Sequence, residues 1–205
     1  MKTLRIITGF IAILCLTACS STSMIGSWSD PAAAEIRTDK VMVFGVTPRM
    51  DVRQNVENQM ATMLKSKGVD ITPSITVFPP GIKDAEIIEK ELINNGYNMA
   101  IVISLFDSKE DTRYVQGTVT YAPGPYHYPF RGYMGYSYGQ IYQPGYYETT
   151  TLYYLECNAY SLPEGKLVYS GQTKTVDPAS LDKFSYDLAS TLVKDMTQKG
   201  ILPAK

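Results

Sequence analysis

Histidine, cysteine and an excess of charge of either sign are scarce in this sequence. It has one histidine and three cysteines, and its 19 lysines and arginines nearly balance 20 acidic residues, for a net charge of -1. Proteins that hold nucleic acid carry a basic surplus, so no nucleic-acid partner is expected. The single histidine, His127, lies in a stretch rich in tyrosine, glycine and proline, with no serine or cysteine motif of a catalytic triad. We therefore expect no enzyme activity, no cofactor and no metal site.

A long hydrophobic run is also missing near the start of the chain. The apolar stretch from Ile6 to Leu16 is shorter than the roughly 20 residues that a membrane-spanning helix needs. It follows Lys2 and Arg5 and ends at small residues, which is the pattern of a signal peptide. The segment Leu16-Thr17-Ala18-Cys19 resembles the lipobox of bacterial lipoproteins. The alternative is an ordinary secreted protein with a cysteine at the cut by chance.

The lipobox resemblance has consequences for the mature chain. It implies cleavage before Cys19, which then receives a diacylglyceryl thioether and an N-acyl chain and holds the protein to the membrane. In lipoproteins of this kind an aspartate after the cysteine implies retention in the inner membrane, whereas Ser20 follows here. The expected location is the periplasmic face of the outer membrane. Loss of residues 1–18 leaves 17 basic against 20 acidic residues, a net charge of -3.

The cysteine count excludes an internal disulfide in the mature protein. Cys15 is removed with the signal peptide and Cys19 carries lipid, so Cys157 has no cysteine to pair with. Alternation within a strand-like segment places Cys157 on one face with Tyr153, Leu155 and Ala159. We therefore predict a buried structural thiol rather than a reactive one.

Three regions are predicted: a signal peptide over 1–18, a lipidated tether over 19–38 and a single α/β domain over 39–205. The first half of the domain alternates between strands and helices, with glycines where the helical patterns stop. The predicted elements are a strand at Val41–Val46, a helix stopped by Gly68, an edge strand at Val69–Thr72, a helix stopped by Gly96 and a central strand at Met99–Phe106. This order is typical of a parallel βαβ sheet.

The second half of the domain is predicted to be antiparallel and to end in a helix. A polar turn at Asp107–Asp111 is followed by strands at Tyr114–Tyr121, Thr149–Ser161 and Leu167–Val176, and by a helix capped by Asp177. The predicted fold is thus α/β with a mixed sheet in the order β-α-β-α-β-β-β-β-α. The helices pack on the sheet, and a long Tyr/Gly/Pro-rich loop is inserted at 122–146.

Several short motifs resemble a group of uncharacterised bacterial envelope lipoproteins that share a Ser-Trp-x-Asp-Pro sequence. The matching segments are Ser27-Trp28-Ser29-Asp30-Pro31, Lys40 to Val46, Arg53 with Glu57, Pro73-Ser74, Tyr114-Val115, Glu156 with Asn158, Lys166 to Ser170 and Gly200 to Leu202. The element order is also similar to the small α/β domains of the TolB N-terminus and of curli-secretion and penicillin-binding-protein-activating lipoproteins. The resemblance implies an assembly or scaffolding role in the envelope.

The segment from Tyr121 to Tyr147 is the main candidate for a binding surface. It holds nine of the 16 tyrosines, five glycines and four prolines, and no acidic residue. Tyrosine provides large and stiff contact area for proteins, and its ring also stacks on sugars. The predicted binding residues are Tyr126, Tyr128, Tyr133, Tyr136, Tyr138, Tyr142 and Tyr146. The alternative is a segment that folds back over the sheet or stays mobile, with no binding role.

Three further features of the sequence are candidate sites. Arg53 and Glu57 are spaced for an ion pair on a helix and are predicted to lie at the surface. Acidic residues in the predicted polar turn, from Asp107 to Asp111, lack the spacing of a calcium loop and are expected to be solvated. If the parallel strands order as 2-1-3, a topological switch point lies near Thr47, Arg49 and Asp107.

The predicted function is a non-catalytic periplasmic interaction or assembly module, held to the membrane by lipid. The alternative is a lipoprotein that binds a glycan, either peptidoglycan or lipopolysaccharide, through the tyrosine-rich segment.

Overall fold

The computed structural model describes residues 21–32, 38–78, 81, 84–117, 129–132, 134–135 and 145–204. They form a mixed six-stranded sheet, in the spatial order β1-β6-β5-β4-β2-β3, with helices packed against it. The strands are β1 Thr22–Ser29, β2 Lys40–Val46, β3 Asp70–Pro73, β4 Met99–Val115, β5 Tyr146–Ser161 and β6 Lys166–Val176. The helices are α1 Met50–Ser66, a 3-10 turn Ser74–Thr76, α2 Ala85–Asn94 and α3 Leu181–Gln198. The predicted α/β class with a mixed sheet is confirmed.

The parallel half of the sheet follows the βαβ pattern. β2 pairs in parallel with β3 on one side and with β4 on the other, which confirms the 2-1-3 order of the first three predicted strands. Their alternating side chains are buried on both faces because helices cover both sides of the sheet. α1 and α3 cover the face of Val41 and Val43, while α2 and Phe78 cover the face of Met42.

The helix ends follow the glycine signals in the sequence. Gly68 and Gly96 adopt positive φ angles of 82° and 73° directly after α1 and α2, a conformation that glycine enters without strain. α3 begins differently from the prediction. Its N-cap is Ser180, whose side chain accepts from the backbone N–H of Lys183, so the predicted cap at Asp177 is wrong.

The stretch predicted as a tether contains a strand. β1 pairs antiparallel with β6, from Thr22 opposite Thr175 to Ser29 opposite Tyr169. Its sequence has few apolar residues and no clear alternation, so its local pattern gives little strand signal. It is a strand because β6 offers an open sheet edge to pair with, and this pairing is a long-range effect.

The polar turn predicted at Asp107–Asp111 is also wrong. These residues continue β4, which runs without interruption to Val115 and has exposed side chains along most of its second half. A strand at this position does not need an apolar face because pairing with β5 satisfies its backbone.

Residues Ser108–Leu152 form a compact unit of their own, and residues up to Asp107 together with those from Tyr153 onward form the other. Within the smaller unit, Thr112 bonds Thr149 at 3.0 Å and Arg113 pairs with Glu148 at 2.6 Å, a register that makes the strand ends antiparallel. The rings of Tyr114 and Tyr147 pack with centroids 5.2 Å apart.

Candidate functional site

Glu57, on α1, is a fully buried carboxylate that four donors satisfy. Its Oε1 accepts from the backbone N–H of Gly45 at 2.8 Å, from the hydroxyl of Ser74 at 2.7 Å and from Nε of Arg53 at 3.0 Å. Its Oε2 accepts from the backbone N–H of Ile75 at 2.8 Å. The guanidinium of Arg53 also donates to the Ser74 hydroxyl at 2.8 Å, which closes a ring of three side chains. The network ties β2, α1 and the 3-10 turn together.

The predicted surface ion pair between Arg53 and Glu57 is therefore wrong in its position. The Glu57 side chain has 0% exposure and that of Arg53 has 11%. The sequence did hold a signal for this burial. Glu57 precedes Met60 by three residues and Leu64 by seven, so it lies on the same helical stripe as two fully buried core residues.

Gly45 lets α1 approach β2 closely enough for this network. A Cβ at Gly45 would lie 3.4 Å from the Cα of Arg53, at the near limit of ordinary van der Waals contact. The backbone N–H of Gly45 donates to Glu57 just beyond the last pair of β2 with β3, Val43 with Pro73. A small residue at this position thus places a backbone donor beside the buried carboxylate.

A pocket of about 360 Å³, here named the strand-end pocket, adjoins this network at the carboxyl end of β2, beside Ile103 and Leu105 of β4. Gly45 and Arg53 belong both to the Glu57 network and to the pocket lining. The other polar side chains of the lining are Thr47, Arg49 and Ser180. The apolar lining consists of Val46, Val52, Val56, Ile103, Leu105, Tyr153, Leu155, Pro178, Leu181 and Phe184.

The pocket lies where the 2-1-3 strand order predicts a switch point. Thr47 and Arg49 line it as expected, whereas Asp107 lies farther along β4 and is not a lining residue. The starts of α1 and α3 complete the walls. Ligands of open α/β sheets bind at such strand ends, outside the carboxyl edge.

Both arginines of the pocket are paired with carboxylates. Arg53 bonds Glu57, and the exposed guanidinium of Arg49 makes a two-point contact with Asp51. This contact raises the pKa of Arg49 and lowers the pKa of Asp51, chiefly through the hydrogen bond that they share. The described lining contains no Asp, Glu, His or Cys side chain. The lining is thus mostly apolar, which suits an apolar group.

The predicted burial of Cys157 is confirmed. Its side chain lies in the main core with Leu155 and Ala159, and burial, followed by the nearby charges of Glu156 and Asp195, raises the pKa of the thiol to about 12. Tyr169, which is buried in the same core, donates its hydroxyl to Asp195 at 2.8 Å. Burial likewise raises the pKa of Tyr169 above its ordinary value.

Most of the predicted site residues lie outside the described residues: Cys19, Tyr126, Tyr128, Tyr133, Tyr136, Tyr138 and Tyr142. Tyr146 is described and is exposed, as is its neighbour Tyr147. Among the described residues, no group of three or more His, Cys, Asp or Glu side chains is placed to hold a metal ion. Within the same residues, no helix is long and apolar enough to cross a membrane.

Comparison with known proteins gives structural similarity at low sequence identity. No protein-family model and no curated protein matches the chain. A PelC dodecamer structure from Paraburkholderia phytofirmans is 14% identical, with 83% of this chain and 94% of that chain covered and a TM-score of 0.46. Lipoprotein GNA1162 from Neisseria meningitidis is 14% identical, with 78% and 98% covered and a TM-score of 0.42. The function of this chain is therefore inferred from its own residues.

Proposed function

We propose that the protein is a lipoprotein of the bacterial cell envelope, anchored through Cys19 to the periplasmic face of the outer membrane. Its folded part is a non-catalytic interaction module for another envelope protein. The lipobox-like segment Leu16-Thr17-Ala18-Cys19 and the following Ser20 support the anchor and its location. Several acyl chains on one cysteine make release from a membrane slow.

The strand-end pocket is the observation that carries the binding role. It is concave, largely apolar and built on rigid strand and helix ends, and both of its arginines are already neutralised. Pockets of this kind bind an apolar anchor residue of a partner, because burial of one large apolar side chain contributes about 1.5–3 kcal/mol. The proposed partner accordingly inserts an apolar side chain at the end of β2, beside Ile103 and Leu105 of β4.

The anchor is tested by the mass of the mature N-terminus and by membrane fractionation. We expect an acylated Cys19 at the N-terminus and recovery of the wild-type protein in the outer-membrane fraction. The variant Cys19→Ala should lose the acyl mass and leave the membrane. A Cys19→Ala protein that stays membrane-bound, together with a wild-type chain without acylation, would refute the anchor.

The pocket is tested by photocrosslinking in intact cells. Benzoyl-phenylalanine at Leu105, a lining residue with 50% exposure, should give a discrete crosslinked product that contains an envelope protein. The matched control is Ile87 on α2, which has 54% exposure and does not line the pocket. A Val46→Glu substitution at the pocket rim should abolish the product obtained at 105. Equal crosslinking at both positions, or no effect of Val46→Glu, would contradict the proposal.

Glycan binding is the second candidate function, supported by the exposed aromatic side chains of Tyr146 and Tyr147. Exposed tyrosine rings offer flat apolar faces to sugars, and peptidoglycan and lipopolysaccharide are the glycans of this compartment. The test is sedimentation with purified peptidoglycan, compared among the wild type, Tyr146→Ala with Tyr147→Ala, and deletion of residues 122–146. Glycan binding predicts loss of sedimentation in both variants. Unchanged sedimentation in both would exclude the tyrosine-rich segment as a peptidoglycan site.

A further inference from the structure

The described chain begins with a residue that is fixed to α3. Ser21 donates from its backbone N–H at 3.0 Å and from its hydroxyl at 3.2 Å to the same carboxyl oxygen of Asp187. Its carbonyl accepts from the backbone N–H of Val176 at 2.9 Å. The other oxygen of Asp187 accepts from the ammonium of Lys183, one turn earlier on α3. The position of Ser21 relative to the end of β6 and to α3 is therefore set by the fold.

The next residue is held just as firmly. Thr22 is buried, its hydroxyl lies 2.8 Å from that of Thr175, and it is the first residue of the β1 pairing with β6. The regular sheet thus begins three residues after Cys19. No long flexible stretch separates the proposed lipid site from the fixed residue Ser21.

The length of the link decides how far the fold can lie from its anchor. A chain spans at most about 3.3–3.6 Å per residue, so the Cα of Ser21 lies within about 7 Å of the Cα of Cys19. A tether over the whole of 19–38 would have allowed about 65 Å by the same rule. Because acyl chains hold Cys19 at the bilayer surface, Ser21 and its neighbours are kept at the level of the lipid head groups.

We propose that the end of β6 and the first turns of α3 form a membrane-facing surface that rests on the phospholipid head groups. This inference rests on the proposed acylation of Cys19. The surface, here named the anchor face, consists of Ser21, Val176, Lys183 and Tyr186. Its occupant is the bilayer itself, because the two-residue link leaves no room for a folded partner beneath Ser21.

The exposed side chains of the anchor face suit this position. Tyr186 has 53% exposure and Val176 has 38%, so part of each apolar side chain is open to its surroundings. Tyrosine is enriched at the membrane–water interface, where its ring contacts the acyl boundary and its hydroxyl stays hydrated. Lys183 is already paired with Asp187, so contact with the bilayer does not depend on anionic lipid.

The start of α3 belongs both to the strand-end pocket and to the anchor face. The pocket adjoins the carboxyl end of β2, which is parallel to β4, and lies beside Ile103 and Leu105 of β4. The start of α3 contributes Ser180 and Phe184 to the pocket and Tyr186 to the anchor face. A partner that enters the pocket therefore meets the protein close to the bilayer.

The test measures how near two labelled positions lie to lipid. The full-length lipidated protein is reconstituted into phosphatidylethanolamine–phosphatidylglycerol vesicles that contain a lipid with a nitroxide-labelled head group. A fluorophore is attached to Tyr186→Cys or to Glu164→Cys, an exposed position at the opposite end of the 11-residue β6. The length of β6, about 35 Å, separates Glu164 from the Val176 end of the anchor face. The buried Cys157 does not compete for the label in the folded protein.

We expect quenching at position 186 to be several-fold stronger than at position 164. Insertion of twelve glycine and serine residues between Ser20 and Ser21 should remove this difference, since it releases the fold while it keeps the anchor. Should Tyr186→Cys fail to fold, Val176→Cys provides the same readout. Equal quenching at both ends of β6, or a difference that survives the insertion, would overturn the proposal.

The mass of the reconstituted protein separates this proposal from the proposed function. A protein that is acylated and vesicle-bound but equally quenched at both positions refutes the anchor face alone. A protein that carries no acyl mass and does not bind vesicles refutes the lipid anchor, and the anchor face is refuted with it.

Discussion

The carboxylate of Glu57 is stable inside the fold because each of its oxygens receives hydrogen bonds from fixed donors. Two of these donors are backbone N–H groups, of Gly45 and Ile75, so part of the network survives any side-chain change. Removal of one partner of a buried ion pair is nevertheless costly, because it leaves an uncompensated charge in a dry environment.

The substitution Glu57→Ala should therefore destabilise the protein strongly. We expect a loss of about 3–5 kcal/mol in the free energy of unfolding, measured by urea denaturation followed by circular dichroism. The matched control is Glu86→Ala, which removes an exposed i,i+4 partner of Lys90 and should cost less than about 1 kcal/mol. Similar losses for the two variants would show that the Glu57 network contributes no more than a surface ion pair.

Cys157 should be chemically inert until the protein unfolds. Its thiol is buried and its pKa is raised to about 12, so at pH 8 it is protonated and shielded from reagents. We expect dithionitrobenzoate to react with the native protein very slowly and with the urea-unfolded protein rapidly. The variant Glu164→Cys, with an exposed added thiol, provides the positive control. Rapid reaction of the native wild-type protein would contradict the burial of Cys157.

At the scale of single residues, the sequence predicts Cys157 well and Glu57 poorly. Alternation in a strand reports which face an apolar side chain occupies, and Cys157 follows it. A charged side chain is expected to be exposed, whereas Glu57 is fully buried. Its partners Gly45 and Ser74 come from other elements, so only the tertiary structure brings together the donors that make its burial possible.

At the scale of elements, β1 is held by its neighbours more than by its own sequence. Its pairing with β6 begins beside Asp187, and near its end the carboxylate of Asp30 pairs with Lys166 at 2.6 Å. The Lys166 hydrogen bond, followed by one from the N–H of Ala32, lowers the pKa of Asp30. The motif Ser-Trp-Ser-Asp-Pro thus completes a strand that docks on β6.

Docking of the β1 start should depend on pH through Asp187. Burial works to raise the pKa of this carboxyl, but hydrogen bonds from Lys183 and Ser21 outweigh it and hold the pKa below its ordinary value. A carboxyl with a lowered pKa in the folded state stabilises the fold above its unfolded pKa of about 3.9, and this contribution is lost as the pH falls through the folded value.

The variant Asp187→Asn should accordingly be less stable than the wild type at pH 7, by about 1–3 kcal/mol in urea unfolding. The difference should shrink as the pH falls below about 4, the unfolded pKa, toward the lower pKa of the folded state, where the wild-type carboxyl takes up a proton. Asp182→Asn, an exposed change in the first turn of the same helix, should show a smaller effect of less than about 1 kcal/mol. A difference that is constant between pH 7 and pH 3 would contradict a role for the Asp187 charge.

The elements that the sequence predicts are those with a strong local period. The buried strands β2 and the first half of β4, and the helices that end near Gly68 and Gly96, agree with their patterns. β1 and the second half of β4 are polar and have no apolar face, so their pairing is decided by available strand edges elsewhere in the sheet. The strand-end pocket was predictable in place from the strand order, but its apolar lining from α3 was not.

At the scale of the whole molecule, the backbone amides of β4 should differ in their protection against hydrogen exchange between the first and the second half of the strand. Met99 to Ile103 in β4 are mostly buried, whereas the residues from Ser108 onward are largely exposed. Hydrogen exchange measured by mass spectrometry should therefore show slow exchange for peptides over 99–104 and faster exchange over 108–115. Equal protection over the two ranges would mean that the two halves of β4 open together.

The two edge strands of the sheet, β1 and β3, affect whether two molecules of this protein can pair through their sheets. β3 is four residues long, ends at Pro73 and turns at once into a 3-10 turn, while the register of β1 shifts between Met24 and Gly26. Edge strands that are short, end in proline or have an irregular register pair poorly with a strand of a neighbouring molecule. Molecules of this protein at high local concentration would thus remain separate rather than join into a continuous ribbon of sheets.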